Sequence, residues 1–224
     1  MSKYSKERIA MPATIQSFTN QPIFAALTTK QRAILAAAID VFAEKGYANS
    51  STHEIAKRAG VAEGNIFSKF GSKAGLLQAI IDPVVENIFP TTMDRLAAAQ
   101  LQKPAATLTG FITALVMARV KFFASNAAVV KVFLGEVIYS NDIRQRLLAN
   151  LPERYWRAVH SELEHLRTTN QIVAWSDQAI LRLIWSLVGG TLVGTLYFNQ
   201  PLADGDVQRL ITALIKALTP SKEA

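Results

Sequence analysis

The sequence predicts an all-α protein, and three observations predict it. Apolar residues recur at three- and four-residue steps through most of the 224 residues. Sustained two-residue alternation bounded by turn signals, the mark of strands, is absent. Two helix-start signatures, Thr28 with Gln31 and Ser51 with Glu54, stand directly ahead of apolar stripes.

The elements follow in order. Residues 1–27 mix Ser, Thr, Gln and Pro without periodicity and read as a flexible arm. Thr28 opens a helix whose stripe is Ile34, Leu35, Ala38, Val41 and Phe42. Gly46 ends it, with Tyr47 placed to pack back on its last turn. Ser51 opens a short helix that turns Ile55, Ala56 and Ala59 inward. Gly60 supplies the backbone freedom for a tight turn, and Val61 plugs the gap behind it. The next helix runs from about Glu63 to Phe70. Ile66 and Phe70, four apart, point to the core, while Asn65, Ser68 and Lys69 share the opposite face. Gly71 breaks this helix, and Ser72 caps another that starts near Lys73.

Further helices are predicted over 73–88, 104–124, 127–139, 142–167, 177–199 and 204–218. Pro83 should end or kink the first of these. Pro104 suits a first turn, and Pro152 should bend or split its helix. The segment Asn199–Gly205 is a clear break. The expected organisation is an arm over 1–27, a small basic domain over 28–75 and a larger helical domain over 76–224.

Charge separates these parts. Residues 1–80 carry a net +5 of the total +7, leaving +2 for the rest. A basic head on a nearly neutral body fits a phosphate backbone as partner. Two short helices joined at a glycine turn are a frame for laying one of them in the DNA major groove.

Other classes fall away. The chain has no cysteine, so disulfides, thiolate metal sites and thiol nucleophiles are excluded together. With no apolar stretch after Lys3, Lys6, Glu7 and Arg8 to read as a secretory signal, a cytoplasmic protein is expected. No H-E-x-x-H, P-loop or G-x-S-x-G pattern occurs, so no enzyme and no cofactor are expected. His160 and His165 lie about 140° apart on a helix, which argues against a metal site. The uncharged run Leu183–Phe198 has 16 residues, short of the ~20 a membrane span wants. Its pair Gly190 and Gly194 suits close helix packing, so the run reads as a buried dimer helix and not as a membrane span.

Three blocks, RAILAAAIDVFAEKGYANSS, IAKRAGVAEGNIF and KFGSKAGLL, occur in this order between Thr29 and Leu77. Together they resemble the tetracycline-repressor (TetR) family of bacterial regulators. The resemblance implies a helix-turn-helix DNA-binding domain followed by a helical ligand-binding and dimerisation domain. It implies a transcriptional regulator, acting as a repressor, that binds a palindromic double-stranded operator as a homodimer. It places Glu63, Gly64, Asn65, Ser68 and Lys69 on the groove-facing side of the recognition helix. Phe67 holds the position of a phosphate-reaching tyrosine, Lys73 that of a phosphate-binding lysine, and Thr52 and His53 begin the helix that crosses the backbone. Asn65 suits an adenine edge. Glu63 either accepts from a cytosine amine or opposes the helix dipole. Ala62 stands where the family has a capping serine.

The resemblance also implies a cavity in the body for a small, largely apolar effector. Its expected lining is Phe111, Met117, Phe122, Tyr155, Trp156 and Trp185. The last two long helices would pair between subunits through Gly190, Gly194, Tyr197, Leu210 and Leu214.

Overall fold

A computed structural model describes residues 18–100, 107–200, 202–203 and 205–221. Every regular element among the described residues is helical. The helices are α1 (Thr29–Lys45), α2 (Thr52–Ala59), α3 (Gly64–Phe70), α4 (Lys73–Pro83), α5 (Phe89–Gln100), α6 (Leu108–Tyr139), α7 (Asn141–Ala149), α8 (Glu153–Thr168), α9 (Asp177–Tyr197) and α10 (Asp206–Leu218).

The starts follow the capping chemistry. Thr28 and Gln31 exchange hydrogen bonds in a complete capping box at α1. At α2 only half of the expected box forms. Ser51 accepts from the Glu54 amide, but the Glu54 carboxylate turns to Lys45 at 2.7 Å. An ammonium partner offers more than one backbone N–H does. Gly60 takes the left-handed conformation, φ 67° and ψ 34°, as the turn requires. Gly75 answers a different need. A Cβ there would lie 2.0 Å from the Phe70 carbonyl oxygen, so the end of α3 and the first turn of α4 approach too closely for any side chain.

The prolines act much as their chemistry dictates. Pro83 ends α4 as a regular helix, and a wider-wound turn, Val84–Ile88, continues the chain into α5. Pro152 splits the expected 142–167 helix into α7 and α8 and stands at the N-cap of α8. Within α6 the predicted break between 124 and 127 is present as a kink at Asn126, φ −137° and ψ 23°. Thr107 caps α6 through the Gly110 amide. Pro104 lies outside the described residues, as do positions 201 and 204 of the predicted loop.

Packing groups the chain into two compact units. The first, or head unit, contains 18–90 and 124–151, and the second, or body unit, contains 91–123 and 152–221, of the described residues. This differs from a cut near residue 75, because apolar groups of α6 and α7 complete the core of the head unit. Val129, Val132 and Phe133 are buried with Ile34, Leu35, Ile39, Ile55, Ile66, Leu76 and Ile80, with Ile143 and Leu147 against them. Each fully buried aliphatic side chain contributes roughly 1.5–3 kcal/mol. Arg146 fastens α7 to this unit through Asp82 at 2.8 Å and Glu86 at 2.5 Å.

The expectation of a flexible arm to residue 27 is corrected for its last part. Phe18, Thr19 and Phe24 are buried in the head unit, and the two rings meet at 5.1 Å. Two aromatic anchors outweigh the polar composition around them. Residues 1–17 lie outside the described ones.

The body unit packs Phe111, Ile112, Leu115, Tyr155, Val159, Leu163, Leu166, Ile180, Ile184, Val188, Ile211 and Leu214. Arg167 bridges Glu164 and Asp177, and His160 meets the same Asp177 at 2.6 Å. Burial alone would raise the Asp177 pKa, but hydrogen bonds from Arg167 and His160 hold it below the ordinary value.

Candidate nucleic-acid interface

The helix-turn-helix is built by α2, the Gly60 turn and α3. Ile55 and Ile66 are fully buried and fix one face of each helix. With that face fixed, the 3.6-residue turn sends Asn65, Ser68 and Lys69 into solvent. All three are exposed, as are Gly64 and Phe67, the latter 47% exposed. Among the described residues the side chains of Asn65, Ser68 and Lys69 have no partner in the chain. Their donors and acceptors are therefore available to an external partner.

The first turn of α3 is held differently from the expectation. With alanine at 62, α3 has no side-chain cap. Glu63 instead accepts from the Thr52 hydroxyl at 2.5 Å and lies 3.6 Å from His53 Nδ1. Thus Glu63, Thr52 and His53 are brought together and tie the start of α2 to the start of α3. The carboxylate also sits at the positive end of α3, as the dipole favours. This contact gives Glu63 a use that needs no cytosine.

Lys73 is committed within the chain as well. Its ammonium donates to the Ser50 carbonyl at 2.7 Å and the Ala48 carbonyl at 3.4 Å, and sits 4.5 Å from the Tyr47 ring centre. It staples α4 to the loop between α1 and α2. A second staple escaped the sequence reading. Arg58 makes a two-pronged bond to Glu44 at 2.6 and 2.8 Å, joining α2 to α1. The guanidinium keeps the Glu44 carboxyl below its usual range. The pair is far apart in sequence, and only the crossing of α1 and α2 reveals it.

The residues expected to line an effector cavity divide in two. Phe111 and Tyr155 are buried, and Phe122 and Trp185 are half-buried. Met117 and Trp156 are 41% and 40% exposed and stand at the surface of the body unit. Sequence reasoning passed over Arg119, which is only 4% exposed. It was detectable as a charge set inside the apolar stretch Phe111–Phe123. A separate depression of about 480 Å³ is lined by Thr107, Leu108, Asn170, Gln171, Ile215 and Thr219, none of them an expected ligand residue.

The expected dimer residues are also sorted by the structure. Gly190 and Tyr197 are exposed, and Leu210 is half-buried. Leu214 is fully buried inside its own chain, so it does not face a partner. It follows Leu210 by one turn, and the stripe that holds both is the inward one. Gly194 is buried too, with the Gln200 side chain 2.8 Å from where its Cβ would be. Helix α9 is long and apolar enough to cross a membrane, yet one third of its most apolar window is buried within the chain.

Comparison with known proteins identifies the head segment. The family model "Bacterial regulatory proteins, tetR family" matches residues 34–80. Residues 34–80 thus match the N-terminal segment of TetR-family regulators. YvdT of Bacillus subtilis, an HTH-type transcriptional regulator, is 40% identical over 67 residues, 30% of this chain and 32% of that protein. The HTH-type transcriptional repressor Rv3405c of Mycobacterium tuberculosis is 48% identical over 50 residues, 22% of this chain and 27% of that protein. The chain thus matches about a third or less of the length of these curated relatives. Likeness of fold extends further. FadR from B. subtilis in complex with stearoyl-CoA aligns with a TM-score of 0.56 at 20% identity, over 84% of this chain and 96% of that one. PfmR, a TetR-family regulator from Thermus thermophilus, aligns with a TM-score of 0.60 at 18% identity, over 82% of this chain and 97% of that one.

Proposed function

We propose that this protein is a homodimeric, ligand-responsive transcriptional repressor of the cytoplasm that binds a palindromic double-stranded DNA operator through α3. The observation that carries the reading is the face of Asn65, Ser68 and Lys69. It consists of unpartnered polar groups on a short helix whose opposite side is locked by Ile66. Asn65 reads an adenine edge, while Ser68 and Lys69 contact bases or phosphates nearby. Gly64 lets the backbone approach the groove, and Phe67 packs against the sugar–phosphate wall. Thr52, His53 and Glu63 set the angle of α3. Lys73 positions the loop ahead of α2 and adds positive charge beside the phosphates.

One short helix reads few base pairs, so two copies on a two-fold site supply the specificity. The exposed apolar and small residues of α9, Leu187, Gly190 and Tyr197, support pairing through that helix. The effector would enter the body unit among Phe111, Phe122, Tyr155 and Trp185. A fold neighbour, FadR, is seen with stearoyl-CoA, which supports a ligand with a large apolar part. Release of DNA requires that the effector bind the non-operator state more tightly than the DNA-bound state.

Fluorescence anisotropy with the DNA upstream of the protein's own gene tests the reading. The wild type should bind with a steep salt dependence, and the double variant Asn65→Ala/Lys69→Ala should not. Equal binding by both would remove α3 as the reading helix.

A further inference from the structure

Among the described residues, Arg119 is a cation without an anion. Its side chain projects from α6 into the body unit and is 4% exposed. Around it stand Met93 of α5, Tyr155 of α8 and Trp185 of α9. Nη2 donates to the Met93 sulfur at 3.1 Å and to the Tyr155 hydroxyl at 3.3 Å. The guanidinium carbon lies 5.0 Å from the Trp185 ring centre and 5.9 Å from that of Tyr155. Nε is buried with no hydrogen-bond partner. Burial lowers the pKa of the group, and Tyr155 alone pulls it back up. Glu162, another buried charge of this unit, is not among the groups acting on it.

These partners are too weak for a buried guanidinium. A thioether and a neutral phenol are poor substitutes for a carboxylate, and aromatic faces offset only part of the lost hydration. A buried charge is ordinarily paired, and an unpaired one is costly to keep. A methionine would fill the space at lower cost. Nε–H, left open, can donate to an oxyanion, and Nη2 can exchange its weak partners, the Met93 sulfur and the Tyr155 hydroxyl, for a second parallel bond.

We propose that Arg119 is the anchor for an oxyanion on the effector, so that the ligand is an apolar body with a carboxylate or phosphate head. The inference rests on the body unit being a ligand site, as stated under the proposed function, and changes the ligand from largely apolar to amphipathic. The guanidinium lies over the Trp185 and Tyr155 rings, and its Nε–H is left for the head group. The apolar part lies along Phe111 and Phe122.

The test uses the full chain and probe sets that share a body and differ in the head. Dodecanoate, dodecanol and dodecyl phosphate form one set; naphthoate and naphthol form the other. Binding is read from tryptophan fluorescence, since Trp185 borders the site, and from the shift in Tm. An anionic member of at least one set should bind, with its alcohol roughly tenfold or more weaker. Whether dodecanoate or dodecyl phosphate binds better separates the two head groups. Arg119→Met should lose the preference for the anion and keep or raise the unliganded Tm, because a buried unpaired charge is removed. Arg119→Lys should retain the preference in weaker form. A lower Tm for Arg119→Met with the preference intact would show a purely structural arginine and overturn the proposal. Equal binding of acid and alcohol by the wild type would also overturn it, while leaving a ligand-responsive body in place. Binding of no probe overturns the anion anchor, and anisotropy on operator DNA then reports independently whether the DNA-binding reading stands.

Discussion

In the head unit three polar side chains of α3, Asn65, Ser68 and Lys69, have no partner among the described residues and stand in water. In the body unit the comparable group is Arg119, and it is buried among Met93, Tyr155 and Trp185. The first arrangement costs little, because solvent satisfies those groups until something displaces it. The second is costly at rest, because burial keeps solvent from Nε and leaves it without a partner. A surface of the first kind suits a large, ordered polyanion that arrives from outside. An interior cation of the second kind suits a small ligand that enters and is enclosed.

The comparison breaks most visibly at the support of the face proposed to read DNA. Ile66→Ala should cost the head unit about 2–5 kcal/mol, since Ile66 is fully buried. Urea denaturation would measure the loss, and DNA binding would fall with it. A smaller effect should come from the face itself. Asn65→Ala should leave the denaturation midpoint unchanged and weaken operator binding by about 1–3 kcal/mol, with relaxed preference at one base pair. Lys69→Ala should weaken all DNA sequences alike and reduce the salt slope by about one, as titrations at several salt concentrations would show. Ser51→Ala removes the cap on α2 and should cost ~1 kcal/mol in the same urea experiment.

The smallest effect belongs to the body unit. Asp177 has a depressed pKa in the folded chain. Its ionised form therefore adds stability above the ordinary aspartate value of 3.8, and that contribution fades as pH falls through and below it. Asp177→Asn should narrow the difference between Tm at neutral and at acidic pH, which calorimetry at several pH values can follow.

The two units were also unequally legible in the sequence. The head rests on local chemistry: capping residues, a glycine turn and four-residue apolar steps. Such signals act within one turn of helix, so Ile66 inside and Asn65 outside follow from spacing alone. What escaped were partnerships across elements. Glu63 with Thr52, Lys73 with the Ser50 carbonyl, and Arg58 with Glu44 arise only after α1 to α4 cross. Phe18 and Phe24 escaped for the same reason, since their burial depends on a core assembled far along the chain.

In the body, Pro152 breaks the chain where expected, but helix α5, Phe89–Gln100, is not among the predicted helices. Inward and outward faces were not legible either. Leu214 and Leu210 form a clean stripe, yet a stripe does not say whether its partner is the same chain or a second one. Arg119 carries its meaning only through the three side chains gathered around it from α5, α8 and α9.

Gly75 has a consequence of another kind. Its neighbour, the Phe70 carbonyl, is main chain and belongs to every variant of this protein, so no compensating side-chain change elsewhere can make room. In a saturation library the position should therefore admit a single letter. Diversification aimed at a new operator can draw freely on 65, 68 and 69, but it inherits this corner unaltered.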